Sequence, residues 1–297
     1  MRVLGWLIGV IVVIAIAGGI YMLTPVRGPA RDTSLVGDVA RGQYLIRLGG
    51  CVTCHTDPKD KTAELAGMQT VALKTPFGSF YPPNITSSKA DGIGNWTLAQ
   101  FATALSDGEG PQGHLYPAFP FDSYTLMSDQ EVADLYAALE ATPAVDVPSH
   151  PHELSFPFNQ RWLMAGWKHL FFHPARFVAD ASQSDAWNRG KYIVMGPGHC
   201  VSCHSPRNAL GAIEPGQELD GNTAGDGPGG KTPPLTMAYF TSHDYDPAGL
   251  VQVLTDGTTP GYDNVTDAMG EVVADETSKW TDADRQAVAA YLTSGTR

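Results

Sequence analysis

An all-α fold, two class-sharing domains in tandem behind a single N-terminal transmembrane helix, is what this sequence predicts. Three observations carry the expectation. An uncharged apolar run opens the chain at Val3 and lasts to Leu23. The pentapeptide Cys51-Val52-Thr53-Cys54-His55 returns as Cys200-Val201-Ser202-Cys203-His204. Short amphipathic stretches then follow each copy in the same order.

Cys-x-x-Cys-His is the attachment pattern of covalent haem c. Two thiols one helical turn apart add across the porphyrin vinyl groups, and the adjacent imidazole is aimed at the iron. All four cysteines of the chain fall in the two motifs, so the expected cofactors are two covalently bound haem c groups. Cys51, Cys54 and His55 hold the first, and Cys200, Cys203 and His204 the second. A zinc ribbon would separate its cysteine pairs by ~15 to 20 residues, against roughly 145 here. A thioredoxin-type disulfide within each pair leaves both histidines without a role.

The first 24 residues read as a membrane anchor. Val3 to Leu23 is 21 residues without a charge, which at ~1.5 Å per residue matches a hydrocarbon core of ~30 Å. A cleavable signal peptide is the alternative, with a small-x-small site at Ala15-Ile16-Ala17. The run continues past that site through Gly18 to Leu23, which favours an uncleaved span. The expected location is the inner (cytoplasmic) membrane, with the domains on its periplasmic side. Residues 25–36, carrying Pro25 and Pro29, read as a linker.

The first domain is expected over 37–145. Asp38 to Leu48 carries Val39, Tyr44, Leu45 and Leu48 at helical spacing and runs into Gly49-Gly50 ahead of Cys51. Thr75 to Thr86 holds too many prolines and glycines for helix or interior strand. Thr97 to Leu105 is a second helix, ending at Asp107-Gly108. Ser128, with Glu131 three residues on, is a capping box that opens a third through Val132, Leu135, Tyr136 and Leu139. Residues 146–183 form an interdomain segment, rich in aromatics at Phe156, Phe158, Trp162, Trp167, Phe171 and Phe172; packing between domains, contact with lipid, or a docking face for a partner are the readings open.

The second domain, 184–297, repeats the order. Asp185 to Met195 leads to Cys200, Thr232-Pro233-Pro234 answers Tyr81-Pro82-Pro83, and Pro247 to Leu254 ends at Asp256-Gly257. Thr281 opens the last helix through Val288 and Leu292. The interval from Cys51 to Asp107 is 56 residues, and so is that from Cys200 to Asp256. Helix, motif, proline loop, helix, ligand loop, helix is the order of a class I cytochrome c-type haem domain.

The ligand on the other face of each iron decides what the haem does, since methionine gives a carrier and an exchangeable site permits catalysis. Met269 lies 12 residues past Gly257, in a loop expected ahead of the last helix, with Met237 and Met195 as substitutes. In the first domain, 11 residues past Gly108 stands Phe119, which cannot ligate. Met127 is the favoured donor there, His114 would give bis-imidazole ligation, and Met68 is more distant; a sixth site left open stays in contention. The metal set is therefore His55, Met127, His204 and Met269. Pro82, Pro83, Pro233 and Pro234 either stiffen their loops or offer a carbonyl to the Nδ1-H of each proximal histidine. Arg161 and Arg207 are candidate propionate partners. His150, His152, His169, His173, His199 and His243 show no ligand spacing and read as loop or surface residues.

The formal charge of -12 disfavours nucleic acid and favours a partner with a basic surface. With 32 glycines and 22 prolines among 297 residues, short helices joined by long loops are expected.

Several further stretches, Thr75-Pro76-Phe77-Gly78, Pro83-Asn84-Ile85-Thr86, Gly92-Ile93-Gly94-Asn95-Trp96, His114-Leu115-Tyr116-Pro117-Ala118, Phe156-Pro157-Phe158-Asn159-Gln160-Arg161 and Cys203-His204-Ser205-Pro206-Arg207-Asn208, resemble the cytochrome c subunits of membrane-bound alcohol and gluconate dehydrogenases. The resemblance covers about residues 38 to 293. It implies a periplasmic carrier that passes single electrons from a dehydrogenase or quinol-oxidising complex to an acceptor such as a terminal oxidase, breaking no substrate bond itself. Those subunits usually carry three Cys-x-x-Cys-His motifs, and many have Met where this chain has Phe119. A dihaem carrier, a subunit of a larger dehydrogenase or respiratory supercomplex, and a haem enzyme with an open first site are the functions that follow.

Overall fold

The uncharged N-terminal run coils into α1 (Arg2–Met22). The computed structural model describes residues 2–227 and 229–295. Asp38 accepts a hydrogen bond from the Arg41 amide and so starts α2 (Val39–Leu48), which is followed directly by α3 (Cys51–His55). A hairpin of β1 (Leu73–Thr75) and β2 (Gly78–Phe80) comes next. Thr97 and Gln100 form a capping box on α4 (Leu98–Asp107). A second hairpin, β3 (Glu109–Gly110) with β4 (Gly113–His114), leads through α5 (Phe121–Tyr124) to α6 (Asp129–Glu140), whose capping box is Ser128 with Glu131. The first half ends in β5 (Glu153–Leu154) and α7 (Leu163–Phe171).

The second half contains α8 (Asp185–Met195), capped by Ser184, then α9 (Cys200–Cys203), α10 (Met237–Ser242), α11 (Pro247–Asp256), α12 (Asp267–Asp275) and α13 (Asp282–Leu292), capped by Thr281. A 3-10 turn, Thr277–Lys279, joins the last two.

Two expectations are corrected. The fold is not all-α: β5 extends the first hairpin through Gly78↔Leu154, and β3 with β4 forms a separate two-stranded sheet. The physical reason is that the proline-rich loops leave edges free to pair, and here the edge of β2 takes a strand from 75 residues further along the chain. The second correction concerns the membrane. Among the described residues no helix is long and apolar enough to cross one, which overturns the expected N-terminal span over 1–24 and the inner-membrane placement built on it. Gly9, Gly18 and Gly19 interrupt the apolar side chains of α1, and its end is docked on the protein. Tyr21 packs on the His169 ring at 4.6 Å, and Thr24 Oγ1 lies 3.2 Å from His169 Nε2.

Each half is built on one helix crossing. At Gly42, α2 passes so close to α6 that an added Cβ would stand 1.9 Å from the Asp134 carbonyl oxygen. At Gly190, α8 passes α13 with the same Cβ 2.0 Å from the Ala287 carbonyl. The two crossings then pack against one another in a single core that joins Leu45, Leu48, Met127 and Leu135 with Trp187, Ile193, Trp280 and Val288.

Polar contacts across that core are reciprocal. Tyr44 of α2 donates to Asp284 Oδ2 of α13 at 2.5 Å, and Tyr192 of α8 donates to Glu131 Oε2 of α6 at 2.6 Å. Tyr44 and Tyr192 occupy the same place in their halves, as do Asp284 and Glu131, so the halves meet as an internal dimer with approximate two-fold symmetry. Arg189 reaches both carboxylates, Asp284 at 2.8 Å and Glu131 at 3.9 Å.

The segment 146–183 is laid on the first half. Besides β5, it contributes Lys168, which is 1% exposed. Its ammonium donates to the Asp107 and Gly108 carbonyls at the end of α4, at 2.7 and 2.6 Å. A cation there answers the unsatisfied carbonyls and the negative end of the helix dipole.

Candidate haem-attachment sites

Both Cys-x-x-Cys-His motifs begin from a residue in the left-handed region, Gly50 at φ 66° and His199 at φ 35°. That turn redirects the chain from α2 into α3 and from α8 into α9, placing the two thiols of each motif on one helical turn. Among the described residues no three His, Cys, Asp or Glu side chains converge as a metal cluster, so the thiols do not gather as a zinc site would require. All four are free. Burial pushes the Cys51 and Cys200 thiols up to about 12. Cys54 is exposed to solvent yet enclosed by protein on most sides, the situation of a thiol lining a crevice.

Each histidine is held by one backbone carbonyl. His55 Nδ1 lies 2.7 Å from the Pro83 oxygen, and His204 Nδ1 lies 2.8 Å from the Pro233 oxygen. A carbonyl only accepts, so Nδ1 carries the proton and Nε2 keeps its lone pair free for a metal. Burial pulls both imidazoles below their usual pKa, which keeps them neutral.

The frame that delivers these prolines is duplicated bond for bond. The Gly67 amide donates to the His55 carbonyl at 2.7 Å, and Gly221 to His204 at 2.8 Å. Leu65 and Leu219, both at positive φ (65° and 66°), donate to the hydroxyls of Thr56 and Ser205. Their carbonyls accept from Ile85 and Leu235 in turn. Free thiols in pairs beside a ring with its tautomer set and Nε2 unengaged fit haem c in both halves.

Comparison with known proteins agrees. The chain is 39% identical over 288 residues to a protein of Cereibacter sphaeroides named diheme cytochrome c-type, covering 95% of this chain and 94% of that one. This chain belongs to the dihaem c-type cytochromes. Its cofactor is haem c, and electron transfer is its activity. It is also 36% identical over 261 residues to the fructose dehydrogenase cytochrome subunit of Gluconobacter japonicus, covering 86% of this chain and 52% of that subunit. With the cytochrome c subunit of the quinone alcohol dehydrogenase of Gluconobacter oxydans it shares 32% identity over 264 residues, 86% of this chain and 54% of that subunit. The cytochrome thus spans about half the length of these dehydrogenase subunits. No family model matches it.

The far side of each haem site is less alike. Met269 stands half-buried on α12, in a helix where a loop is expected. Met127 is 1% exposed, immediately ahead of the N-cap Ser128. Trp280 holds the same place ahead of Thr281 in the second half and is equally buried. Arg31 donates to the Met127 carbonyl, fixing the backbone there. His114 sits on β4 with Nδ1 3.3 Å from the Lys168 ammonium, and burial followed by that charge lowers its pKa. Phe119 packs against Tyr124 at 5.3 Å. The structure brings Met127 into the shared core and leaves Met269 outside it.

The two candidate propionate partners are engaged elsewhere in the cytochrome. Arg207 donates to the Ser202 and Gly211 carbonyls, both at 2.6 Å, and so braces α9. Arg161 donates to the His114 carbonyl at 3.2 Å and lies over the Tyr116 ring. His199 lies in the loop expected of it, and from there its ring reaches across to the other half and meets Gly50. His152 is likewise enclosed, between Phe80 and Tyr116, and burial lowers it to about 4. Glu276, 2% exposed beside Gly50, went unnoticed by motif reading, since a lone Glu in a polar stretch carries no local signal.

Proposed function

We propose that this cytochrome carries two covalent haem c groups, one in each of the domains 37–145 and 184–297, and relays single electrons between redox proteins. Cys51, Cys54 and His55 would hold the first, and Cys200, Cys203 and His204 the second, with Met127 and Met269 as the sixth ligands. The observation that supports this best is the pair of Nδ1-to-proline-carbonyl bonds, which prepares two imidazoles identically for an iron. Bound haem supplies the one-electron couple; the chain's residues fix ring orientation, exclude water and tune the surroundings.

A dehydrogenase is the proposed partner, on the strength of the fructose and alcohol dehydrogenase subunits that the chain resembles. The test is a pyridine-haemochrome assay on purified protein together with electron transfer to and from added redox proteins. Two haems per chain and rapid single-electron exchange are expected; one haem, or none, overturns the assignment.

A second reading is favoured by one observation, that Met127 stands where the second half has the non-ligating Trp280. On that reading the first haem is ligated by His114 or keeps an exchangeable site. Carbon monoxide separates the two: an unchanged spectrum of the reduced protein supports Met127, and a shift in half of the haem absorbance supports the open site.

A further inference from the structure

The two attachment helices meet at their starts. An added Cβ at Gly50, ahead of Cys51, would come within 2.8 Å of Glu276 Oε1 and 2.9 Å of His199 Nε2, the residue ahead of Cys200. Glu276 therefore lies in the seam between the motifs, on the turn that joins α12 to α13. Burial is the first cause that raises Cys51, Cys54, Cys200 and Cys203, and the Glu276 charge adds to it at each of the four. One carboxyl is thus shared by both haem sites.

Among the described residues facing it, none supplies a full positive charge to hold it ionised. From α3 it faces the Thr53 hydroxyl, which is buried and has no partner of hydrogen-bonding geometry. From α5 it faces Tyr124, whose hydroxyl donates to the Gly49 carbonyl at 2.6 Å and whose pKa is raised by burial first, the carboxylate adding to it. From the start of α9 it faces His199, which burial keeps neutral. On α12, Asp275 adds a like charge, with Glu271 one turn earlier. Arg47 of α2 is paired with Glu64 at 3.0 Å, Lys61 with Asp275 at 3.1 Å, and Arg285 of α13 with the Thr277 and Trp280 carbonyls. Burial above all, opposed by Thr53 and aided by Asp275, pushes the Glu276 carboxyl up to about 7.

We propose that Glu276 is a proton-exchange site common to both haems, taking one proton from solvent when an electron enters the pair and returning it when the electron leaves. The charge balances: with haem bound, an electron arriving at either iron would remove one positive charge, and a proton taken up by the Glu276 carboxylate would replace it. A cavity of about 80 Å³ lined by Arg47, Thr53, Glu271 and Asp275 opens beside the Thr53 side chain that Glu276 faces. The second half alone has this group. Glu276 stands five residues before the cap Thr281, and the residue five before Ser128 is Ser123.

The proposal rests on haem c being attached at both motifs, which a haemochrome assay checks first and separately. Midpoint potentials of the holoprotein are then measured below and above pH 7 in wild type, Glu276→Gln and Glu276→Asp. Wild-type potentials are expected to fall as pH rises, by up to about 59 mV per tenfold drop in proton activity for a one-electron couple. The Gln variant is expected to flatten that slope, and the Asp variant to retain it. Should the Gln variant fail to hold haem, the reduced-minus-oxidised infrared spectrum of wild type must gain a protonated-carboxyl stretch. A slope unchanged in Glu276→Gln, or a wild-type infrared spectrum without that stretch, overturns the proposal.

Discussion

The two halves of the cytochrome share their frame and differ in what the frame presents. Identical in both are the glycine crossing, the histidine-to-proline bond, the left-handed residue ahead of the motif and the tyrosine that reaches the partner half. Different are Phe119 against Met269, Met127 against Trp280, and Ser123 against Glu276. On the proposed function, the shared features would hold a haem in each half and the unshared ones would set how each iron behaves.

Breaking the attachment chemistry in one half gives the largest expected effect. Replacing Cys200 and Cys203 by Ser should lower the haem count from two to one per chain and leave the first site's spectrum intact, as read by haemochrome assay and mass. Loss of both haems would show that the halves are not independent in loading.

The crossings come next. Gly42→Ala and Gly190→Ala each drive a Cβ into a backbone carbonyl, and each is expected to cost about 3 kcal/mol or more in denaturant unfolding, because neither helix can give way without breaking the core. Unequal costs would locate the half whose crossing is the more yielding.

The seam carboxyl, present in the second half alone, makes the stability of the whole fold depend on pH. Glu276 is raised from 4.5 to about 7 in the folded protein, so between those values the folded state binds more protons than the unfolded one. Its contribution is fully present below pH 4.5 and is lost as pH rises through about 7. The loss is about 3 kcal/mol at most, and Glu276→Gln should remove that part of the pH dependence of unfolding.

The reciprocal tyrosines give the smallest effect. Tyr44→Phe and Tyr192→Phe each remove a hydrogen bond to a carboxylate, worth about 1.5 to 3 kcal/mol. Tyr192→Phe is expected to cost more, because Asp284 keeps a 2.8 Å pair with Arg189 while Glu131 is 3.9 Å from it. Melting curves of the two variants decide the order.

Much of this was legible in the residues. The capping box at Ser128, the helices after each motif and the proline carbonyls beside the histidines all depend on neighbours within about 30 positions. Other features were hidden. Met269 was expected in a loop and lies on α12, since Thr266 and Asp267 do not announce a helix against the surrounding polar residues. The strands escaped notice because β5 pairs with a hairpin distant in sequence. The apolar start of the chain suggested a span that the described part of α1 does not provide.

What the sequence determined by itself is the class of cofactor, haem c, and the tandem register, because the Cys-x-x-Cys-His pattern is a fixed local spacing and a repeated spacing is visible in a string. Only the tertiary structure decided that the two motifs start face to face, with His199 and Glu276 in the seam between them and Tyr44 bonded to a carboxylate 240 residues away. Such meetings follow from how the two crossings pack, and the energy that selects that packing is spread over the whole buried core instead of residing in any one stretch.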